Sequence, residues 1–147
     1  MTHTHITDKE RIKTIIRETF EGDNDLFNKF HFINDDTEAA LLDTFFKIEE
    51  LIDGHNSRFY ALTNDNTDEI IGYINIAPEI NVFHSFGLKK THRSEKTKKE
   101  MMNVVESFFK NGIIICGLYN KNTRAIDFLK KNGYQQQEHI TLVKTFN

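Results

Sequence analysis

The chain has 147 residues, a length that predicts one domain over 1–147 with enough material for a sizeable core. Hydrophobic residues make up 38% and aromatic residues 12%, with 13 Phe and no Trp, which excludes a disordered chain. The net charge is −3, no apolar run is long enough to cross a membrane, and the start carries no export signal, so we expect a cytoplasmic protein without membrane contact.

The start of the chain predicts a strand followed by a helix. Residues 2–6 (THTHI) alternate as a strand does. Thr7 stands where a helix N-cap is expected, and Glu10 completes a capping box. The predicted helix ends at Gly22 and carries an apolar stripe of Ile12, Ile15, Ile16 and Phe20.

A second amphipathic helix is predicted from Thr37 to Ile52, closed by Gly54. Strand-like segments follow at 58–64, 69–77 and 81–89, and the first two are expected to form a hairpin around the turn DNTD. These three strands should make an antiparallel meander.

The rest of the chain predicts a β-α-β unit and two closing strands. The helix after 81–89 has an apolar face of Met101, Met102, Val105, Phe108 and Phe109. The run GIIICGLY at 112–119 is typical of a buried strand. Asn122 is expected to cap a short helix through Leu129 that stops at Asn132-Gly133, and two strand-like pieces close the chain.

The predicted order is therefore β-α-α-β-β-β-α-β-α-β-β, an α/β (α+β) fold. We expect a mixed, mostly antiparallel sheet of six to seven strands, with about four helices packed on both faces. A right-handed crossover should place the strands at 82–89 and 112–119 side by side and parallel.

A basic segment lies between the third meander strand and the next helix. Residues 89–99 carry six Lys or Arg against Glu95 alone, on a chain that is acidic elsewhere. This local positive charge indicates an anionic ligand, or a solvated helix start. The segment THRSEKTKKE (91–100) occupies the position of a phosphate-binding loop, yet it contains no glycine.

Cysteine and histidine usage predicts neither a disulfide nor a metal site. Cys116 is the single cysteine and lies in an apolar run, so we expect a packed small hydrophobe in a reducing compartment. His3 and His5 are two residues apart, but no third ligand is close to them in sequence.

The segment NKNTRAIDFLKKNGY (120–134) carries the most specific family resemblance. Asn122, Ala125, Gly133 and Tyr134 have the spacing of motif B in the GNAT acetyltransferase superfamily, which the predicted element order also resembles. Asn122 would satisfy free N–H groups at the helix start, and Gly133 would adopt the left-handed conformation after the helix.

The resemblance implies that the basic segment is motif A and that acetyl-CoA binds there. In that motif Arg93 matches the first position, whereas Lys96 and Lys98 stand where glycines are usual. Lysine side chains would crowd a backbone phosphate cradle, or would supply cationic contacts instead. The implied acetyl-CoA contacts are Leu88, Arg93, Ser94, Lys96, Thr97, Lys98 and Asn122.

The resemblance also implies direct attack of an amine on an acyl thioester, assisted by a base and an acid. His84 and Glu79 are the candidate bases. Leu129 occupies the usual position of the acidic tyrosine, so Tyr119 is the substitute candidate. The aromatic stretch at 26–33 lies where relatives build the acceptor site.

These features predict an acyl-CoA-dependent N-acetyltransferase acting on a small-molecule or peptide amine. The alternative is a catalytically inactive GNAT-like fold that serves as a binding or structural protein, of the kind that bacterial viruses encode. Nucleic-acid binding is disfavoured because no aromatic residues interleave with the lysines of the basic segment. The resemblance further implies pairing through the closing strands, as a homodimer or with a protein partner.

Overall fold

The computed structural model describes residues 1–23, 37–110, 112–118, 122–138, 142 and 144. Within them the chain forms four strands, which make one sheet, and four α-helices, which pack on its two faces. In chain order they are β1 (Thr2–Ile6), α1 (Lys9–Thr19), α2 (Thr37–His55), β2 (Arg58–Thr63), β3 (Ile70–Ala77), β4 (Val82–Leu88), α3 (Glu95–Ser107) and α4 (Thr123–Lys131).

The four strands form one antiparallel sheet in the order β1-β2-β3-β4. The register places Phe59 of β2 opposite Asn75 of β3, and Asn75 opposite Ser85 of β4. The predicted first strand and the meander are thereby confirmed, with strand ends within a residue or two of the expected ones.

Helices cover both faces of the sheet, as predicted, and each face has its own apolar core. Ile12, Ile16 and Phe45 from α1 and α2 pack with Phe59 and Tyr73 on one face. On the other face, the core is formed with α3 and α4 and includes Leu62, Ile74, Ile76, Phe83, Met101, Met102, Val105 and Leu129. Alternate residues of β3 serve the two cores, since successive strand side chains point to opposite faces.

Two predicted helix boundaries are wrong. Asp8, not Thr7, caps α1: its carboxylate accepts hydrogen bonds from the N–H groups of Glu10 at 3.0 Å and Arg11 at 3.4 Å. A carboxylate at this position also favours the positive end of the helix dipole, which a threonine hydroxyl does less strongly. Gly54 does not end α2, because the helix continues to His55 and the left-handed conformation falls on Asn56.

The predicted buried strand at 112–119 is also wrong over its described residues, 112–118. Only one parallel bridge joins it to β4, between Val82 and Ile115, so the predicted parallel neighbour is present at one point. Ile113 is 59% exposed and Ile115 is 56% exposed. The residues between and after them (Ile114, Cys116 and Leu118) pack on the core beside α3 and α4, so the apolar run buries one side only.

The described residues therefore form four strands, rather than the six to seven predicted. Residues 134–138 are not in a strand, although Tyr134 was expected to begin one. The remainder of the predicted closing strands lies mainly outside the described residues.

The start and end of α4 agree with prediction. The Asn122 side chain accepts a hydrogen bond from the N–H of Ala125 at 3.1 Å, and Gly133 has φ +91°. The helix runs two residues beyond Leu129, to Lys131, and the N–H of Tyr134 then donates to the Leu129 carbonyl at 3.1 Å. This pairing satisfies a carbonyl of the last turn.

Candidate functional site

A cavity of about 560 Å³ opens beside β4. Residues 84–88 line one side of it, and Gly117 and Leu118 line another. The longer stretches to which they belong, β4 and residues 112–118, pair at the Val82–Ile115 bridge alone among the described residues. Because they separate beyond that bridge, a gap is left between backbone segments that would otherwise continue the sheet.

The cavity reaches both faces of the sheet. On one face it is lined by residues from the end of α1 and from α2, namely Phe20, Thr44, Lys47, Ile48 and Leu51, together with Tyr73 of β3. On the other face it is lined by Lys98, Met101, Asn122, Arg124, Ala125 and Phe128, and Arg93 at the end of β4 lines it as well. We call these the α2 half and the α4 half of the cavity.

A β-bulge in β4 determines how His84 enters the cavity. Asn75 pairs with Ser85 and Ile76 pairs with Phe83, so His84 is the extra residue with no partner on β3. A bulge leaves one residue outside the regular ladder and changes the direction of its side chain. His84 lines the cavity, and His55 at the end of α2 is close enough to influence its charge.

Burial lowers the pKa of His84, and the nearby His55 lowers it further. His84 is therefore neutral near pH 7, the form that can accept a proton. Its Nε2 atom is buried and has no hydrogen-bond partner among the described residues.

Further unpaired polar atoms lie next to His84. The Ser85 hydroxyl and both amide atoms of Asn75 are buried without hydrogen-bond partners among the described residues. Burial raises the pKa of Tyr73, and the Ser85 hydroxyl moderates that rise. Each unpaired buried group costs about 1–3 kcal/mol of folding stability, so this concentration is typical of a functional site.

Arg93 lines the cavity but is engaged from within the protein. Its Nε donates to the Leu88 carbonyl at 2.9 Å, and its Nη2 forms an ion pair with the Asp23 carboxylate. Both side chains of the pair are largely buried, at 15% and 9% exposure. Arg93, a predicted phosphate contact, therefore already makes two contacts within the protein.

The other residues of the predicted phosphate loop differ in what they contact. Ser94 caps α3: its hydroxyl oxygen accepts from the N–H of Thr97 at 3.2 Å and pairs with the Thr97 hydroxyl at 3.0 Å. Lys96 is exposed and does not line the cavity. Lys98 does line it, with Nζ 3.4 Å from the Glu95 carboxylate and 5.9 Å from the centre of the Phe128 ring.

The α4 half also contains Asn122, the helix cap, and Arg124 in the first turn of α4. The sequence prediction included Asn122 but missed Arg124. A basic residue two positions after the predicted cap was the available signal. Together with Lys98, Arg124 makes this half of the cavity positively charged.

One predicted catalytic residue, Glu79, does not line the cavity, and another, Tyr119, cannot be placed relative to it. Glu79 lies in a 3-10 turn (Pro78–Ile80), is paired with Arg58 at 3.1 Å and does not line the cavity. Tyr119 lies outside the described residues, as does the aromatic stretch at 26–33. Leu129, at the usual tyrosine position, is buried in the core on the α4 side.

The residues of α2 that line the cavity were missed because the sequence shows them only as a helical apolar face. Nothing in their spacing distinguishes a residue facing a cavity from one facing a core. The predicted helix boundaries place them correctly along the chain, but only the packing of α2 on the sheet brings them to His84.

Other classes of site receive no support from the described part of the chain. No group of three or more His, Cys, Asp or Glu side chains there is arranged to hold a metal ion. None of the described helices is both long and apolar enough for a membrane span. Burial raises the pKa of the Cys116 thiol to about 12, which keeps it protonated and a weak nucleophile.

A family model and solved structures match this arrangement. The model of the acetyltransferase (GNAT) family matches residues 15–134. No curated protein matches the chain significantly.

Three solved structures illustrate the likeness in fold. A putative acetyltransferase (YycN) from Bacillus subtilis has a TM-score of 0.64 at 14% identity, covering 99% of this chain and 100% of that one. The PaiA N-acetyltransferase from Thermoplasma acidophilum, in complex with coenzyme A, has a TM-score of 0.60 at 18% identity and covers 95% and 94%. AAC(6')-Iy, in complex with a bisubstrate analogue joining CoA to an acetylneamine, has a TM-score of 0.61 at 11% identity and covers 99% and 98%.

Proposed function

The chain belongs to the acetyltransferase (GNAT) family, and we propose that it is an acyl-CoA-dependent N-acetyltransferase acting on an amine. One observation carries the proposal: a single cavity joins a cationic half beside α4 to a neutral histidine on β4. The CoA complexes of similar folds are consistent with it.

The α4 half fits an acyl-CoA in its chemistry. Lys98 and Arg124 would hold phosphate oxygens, and Leu88, Met101 and Leu118 provide apolar walls for the pantetheine arm. The bulge at His84 leaves backbone outside the ladder, where an N–H can meet a carbonyl oxygen. Acetyl-CoA would supply an acyl thioester whose carbonyl carbon accepts the amine.

His84 is the proposed general base. Its neutral imidazole would take the proton that the amine loses as it attacks, either directly or through one water. Tyr119 stays the proposed proton donor to the leaving thiolate. Glu79 is the weaker candidate base, because its carboxylate is paired with Arg58 and does not line the cavity.

The loop without glycines would hold phosphate with side chains rather than with backbone alone. Lys96 is turned outward, so it leaves the start of α3 approachable. Lys98 crosses towards Phe128 at the side of the cavity. In this arrangement Lys98 would replace part of the backbone cradle, while Ser94 and Thr97, which do not line the cavity, stay paired with each other at the start of α3.

A second candidate is a family member that binds a ligand or partner without catalysis. Two observations favour it. The Arg93 guanidinium is already paired with Asp23, and Ser94 already caps α3, so two groups of the loop are satisfied without a ligand. Such a protein would keep the fold and the cavity but not the transfer reaction.

The test is acetyl transfer by the full chain. The protein is mixed with acetyl-CoA and a panel of small amines and short peptides, and free CoA thiol and acceptor mass are measured. Acetylated product that His84→Gln abolishes and Glu79→Gln leaves unchanged supports the proposal. Absence of any acetylated acceptor, from a folded protein that binds acetyl-CoA, supports the second candidate.

A further inference from the structure

The α2 half of the cavity contains a cluster of neutral hydrogen-bonding groups on adjacent strands. We call His84, Ser85 and Asn75 the neutral polar cluster. Four of its side-chain atoms are buried and have no hydrogen-bond partner among the described residues: His84 Nε2, Ser85 Oγ, and Nδ2 and Oδ1 of Asn75. Ser85 and Asn75 face each other across β4 and β3.

Two members of the cluster belong to the cavity wall, and their unpaired atoms are buried within it. His84 and Ser85 line the cavity, whereas Asn75 is fully buried one strand further in. Side chains of a cross-strand pair begin about 4.5–5.5 Å apart, so Asn75 is placed to orient the Ser85 hydroxyl. Tyr73 is also close to that hydroxyl, but no hydrogen bond of good geometry occupies Ser85.

We propose that the neutral polar cluster binds an uncharged amide beside the reacting amine, and that the acceptor is therefore an α-amino amide. Ser85 would contact the amide and set the specificity, and Asn75 would act through Ser85 as a positioning residue. This inference rests on the proposed transferase function for its kinetic test, but not for its binding test.

Hydrogen-bonding capacity favours an amide over a single hydroxyl. An amide needs a donor for its carbonyl and an acceptor for its N–H groups. The Ser85 hydroxyl supplies both, and the Asn75 carboxamide behind it has the same two functions, while His84 stays available to the reacting amine. The nearby walls formed by Phe20, Ile48 and Leu51 suit an aliphatic side chain on the same acceptor.

Charge disfavours the other common acceptors. A free carboxylate needs a cation, and Lys47, the cation of the α2 half, is 3.2 Å from the Asp43 carboxylate. A polyamine needs carboxylates for its further ammonium groups, and none lines the cavity among the described residues. An α-amino amide has no charged group besides the amine.

The kinetic test compares L-leucinamide with 3-methylbutylamine, which has the same carbon skeleton without the carboxamide. Each acceptor is assayed with the unaltered protein and with Ser85→Ala, so that the difference in basicity between the two amines cancels within each ratio. We expect Ser85→Ala to lower kcat/KM about tenfold or more for leucinamide, and less than about twofold for 3-methylbutylamine. Equal losses on both acceptors would overturn the proposal.

A binding test separates this proposal from the transferase function. Leucinamide and the peptide Leu-Gly-Gly are titrated calorimetrically into the protein, with and without CoA. Binding that Ser85→Ala weakens, in a protein that transfers nothing, supports the subsite and rejects the transferase. Transfer to 3-methylbutylamine without binding of either amide rejects the subsite and keeps the transferase. If both amides bind, the tighter one shows whether the acceptor is an amino-acid amide or the N-terminus of a peptide.

Asn75→Leu provides a second variant should Ser85→Ala fail to fold. It is similar in shape and removes both unpaired amide atoms, so we expect a higher unfolding temperature together with loss of the preference for leucinamide. A protein that gains stability and keeps the full preference would overturn the role of Asn75.

Discussion

His84 is the residue on which the proposed chemistry depends most directly. A bulge places it in the cavity, and burial together with His55 lowers its pKa. A histidine with a lowered pKa loses its proton at a lower pH than an ordinary histidine does. The base form is therefore present across the neutral range and disappears only in acid.

We predict that kcat/KM, calculated for the unprotonated amine, falls as the pH decreases through the lowered pKa of His84, with a midpoint below the usual histidine value of about 6.5. His84→Gln should remove this acid limb and lower the rate by a factor on the order of 10²–10⁴. The measurement is a pH–rate profile with one amine, and the profile of Glu79→Gln is the control. An unchanged acid limb in His84→Gln would assign the base to another residue.

Gly87 lies at a tightly packed point of the cavity wall. A Cβ added there would lie 2.8 Å from Phe20 Cζ, 3.0 Å from Thr19 Cγ2 and 3.1 Å from Tyr73 Cε1. Gly87→Ala should therefore destabilise the fold by about 1–3 kcal/mol. Gly117→Ala is the matched control, because it also lines the cavity and its Cβ would meet nothing within 4 Å.

The stabilities of the two alanine variants are compared by their midpoints of unfolding in urea. The packing account requires a lower midpoint for Gly87→Ala and an almost unchanged one for Gly117→Ala. Equal midpoints would mean that Phe20 and Tyr73 give way without cost.

At the scale of elements, Arg93 joins segments that are 70 residues apart in sequence. It connects the end of β4, through Leu88, with the turn after α1, through Asp23. Removing one member of a buried ion pair leaves an uncompensated charge, so Asp23→Ala should cost about 3–5 kcal/mol of unfolding free energy. Glu79→Gln, which breaks the more exposed pair with Arg58, should cost less than about 1 kcal/mol.

Chemical denaturation measures both changes. A loss for Asp23→Ala no larger than that of the control would show that the Arg93 pair is not structural, and that Arg93 is free to serve a phosphate.

The cap of α4 has a structural role and a position on the cavity wall, and a pair of variants separates them. Asn122→Ala should lose about 1 kcal/mol of stability because the N–H of Ala125 loses its acceptor. Asn122→Ser keeps a capping oxygen and should recover that stability. If Asn122 also contacts acetyl-CoA through its amide, both variants bind acetyl-CoA more weakly, whereas a cap-only role predicts weakening in Asn122→Ala alone.

Local signals in the sequence were sufficient for several elements. The alternation of 2–6, the meander strands, the Asn122 cap and the left-handed Gly133 all depend on neighbours in sequence, and all are confirmed. The errors have local causes too. Asp8 and Thr7 are both suitable cap residues, and the sequence pattern favoured the wrong one. In residues 112–118, the exposed positions are apolar like the buried ones, so the sequence does not show that only one side is buried.

The candidate site was less predictable because it depends on contacts between distant segments. The Arg93–Asp23 pair and the approach of α2 to His84 are tertiary contacts that no local pattern shows. Arg124 was within reach, since it follows a predicted cap. The bulge at His84 depends on how β4 pairs with β3, and the residue pattern of one strand does not show that register.

For the whole molecule, the distribution of charge supports an anionic ligand at one place. Residues 89–99 are strongly basic, while the chain as a whole has a net charge of −3. Four cations line the cavity: Arg93 and Lys47 are paired with carboxylates that are buried or half-buried, whereas the Glu95 carboxylate, 3.4 Å from Lys98, is 83% exposed and well hydrated. Lys98 and Arg124 therefore provide most of the attraction for an anionic ligand such as a CoA phosphate.

Calorimetric titration of the full chain with acetyl-CoA tests whether the cavity binds the proposed cofactor. We predict binding in the micromolar range, weakened about tenfold or more by Lys98→Ala and by Arg124→Ala, and affected little by Lys96→Ala, whose side chain is exposed and outside the cavity. A folded protein that shows no binding at millimolar acetyl-CoA would contradict the account. So would equal binding by Lys98→Ala, Arg124→Ala and the unaltered chain.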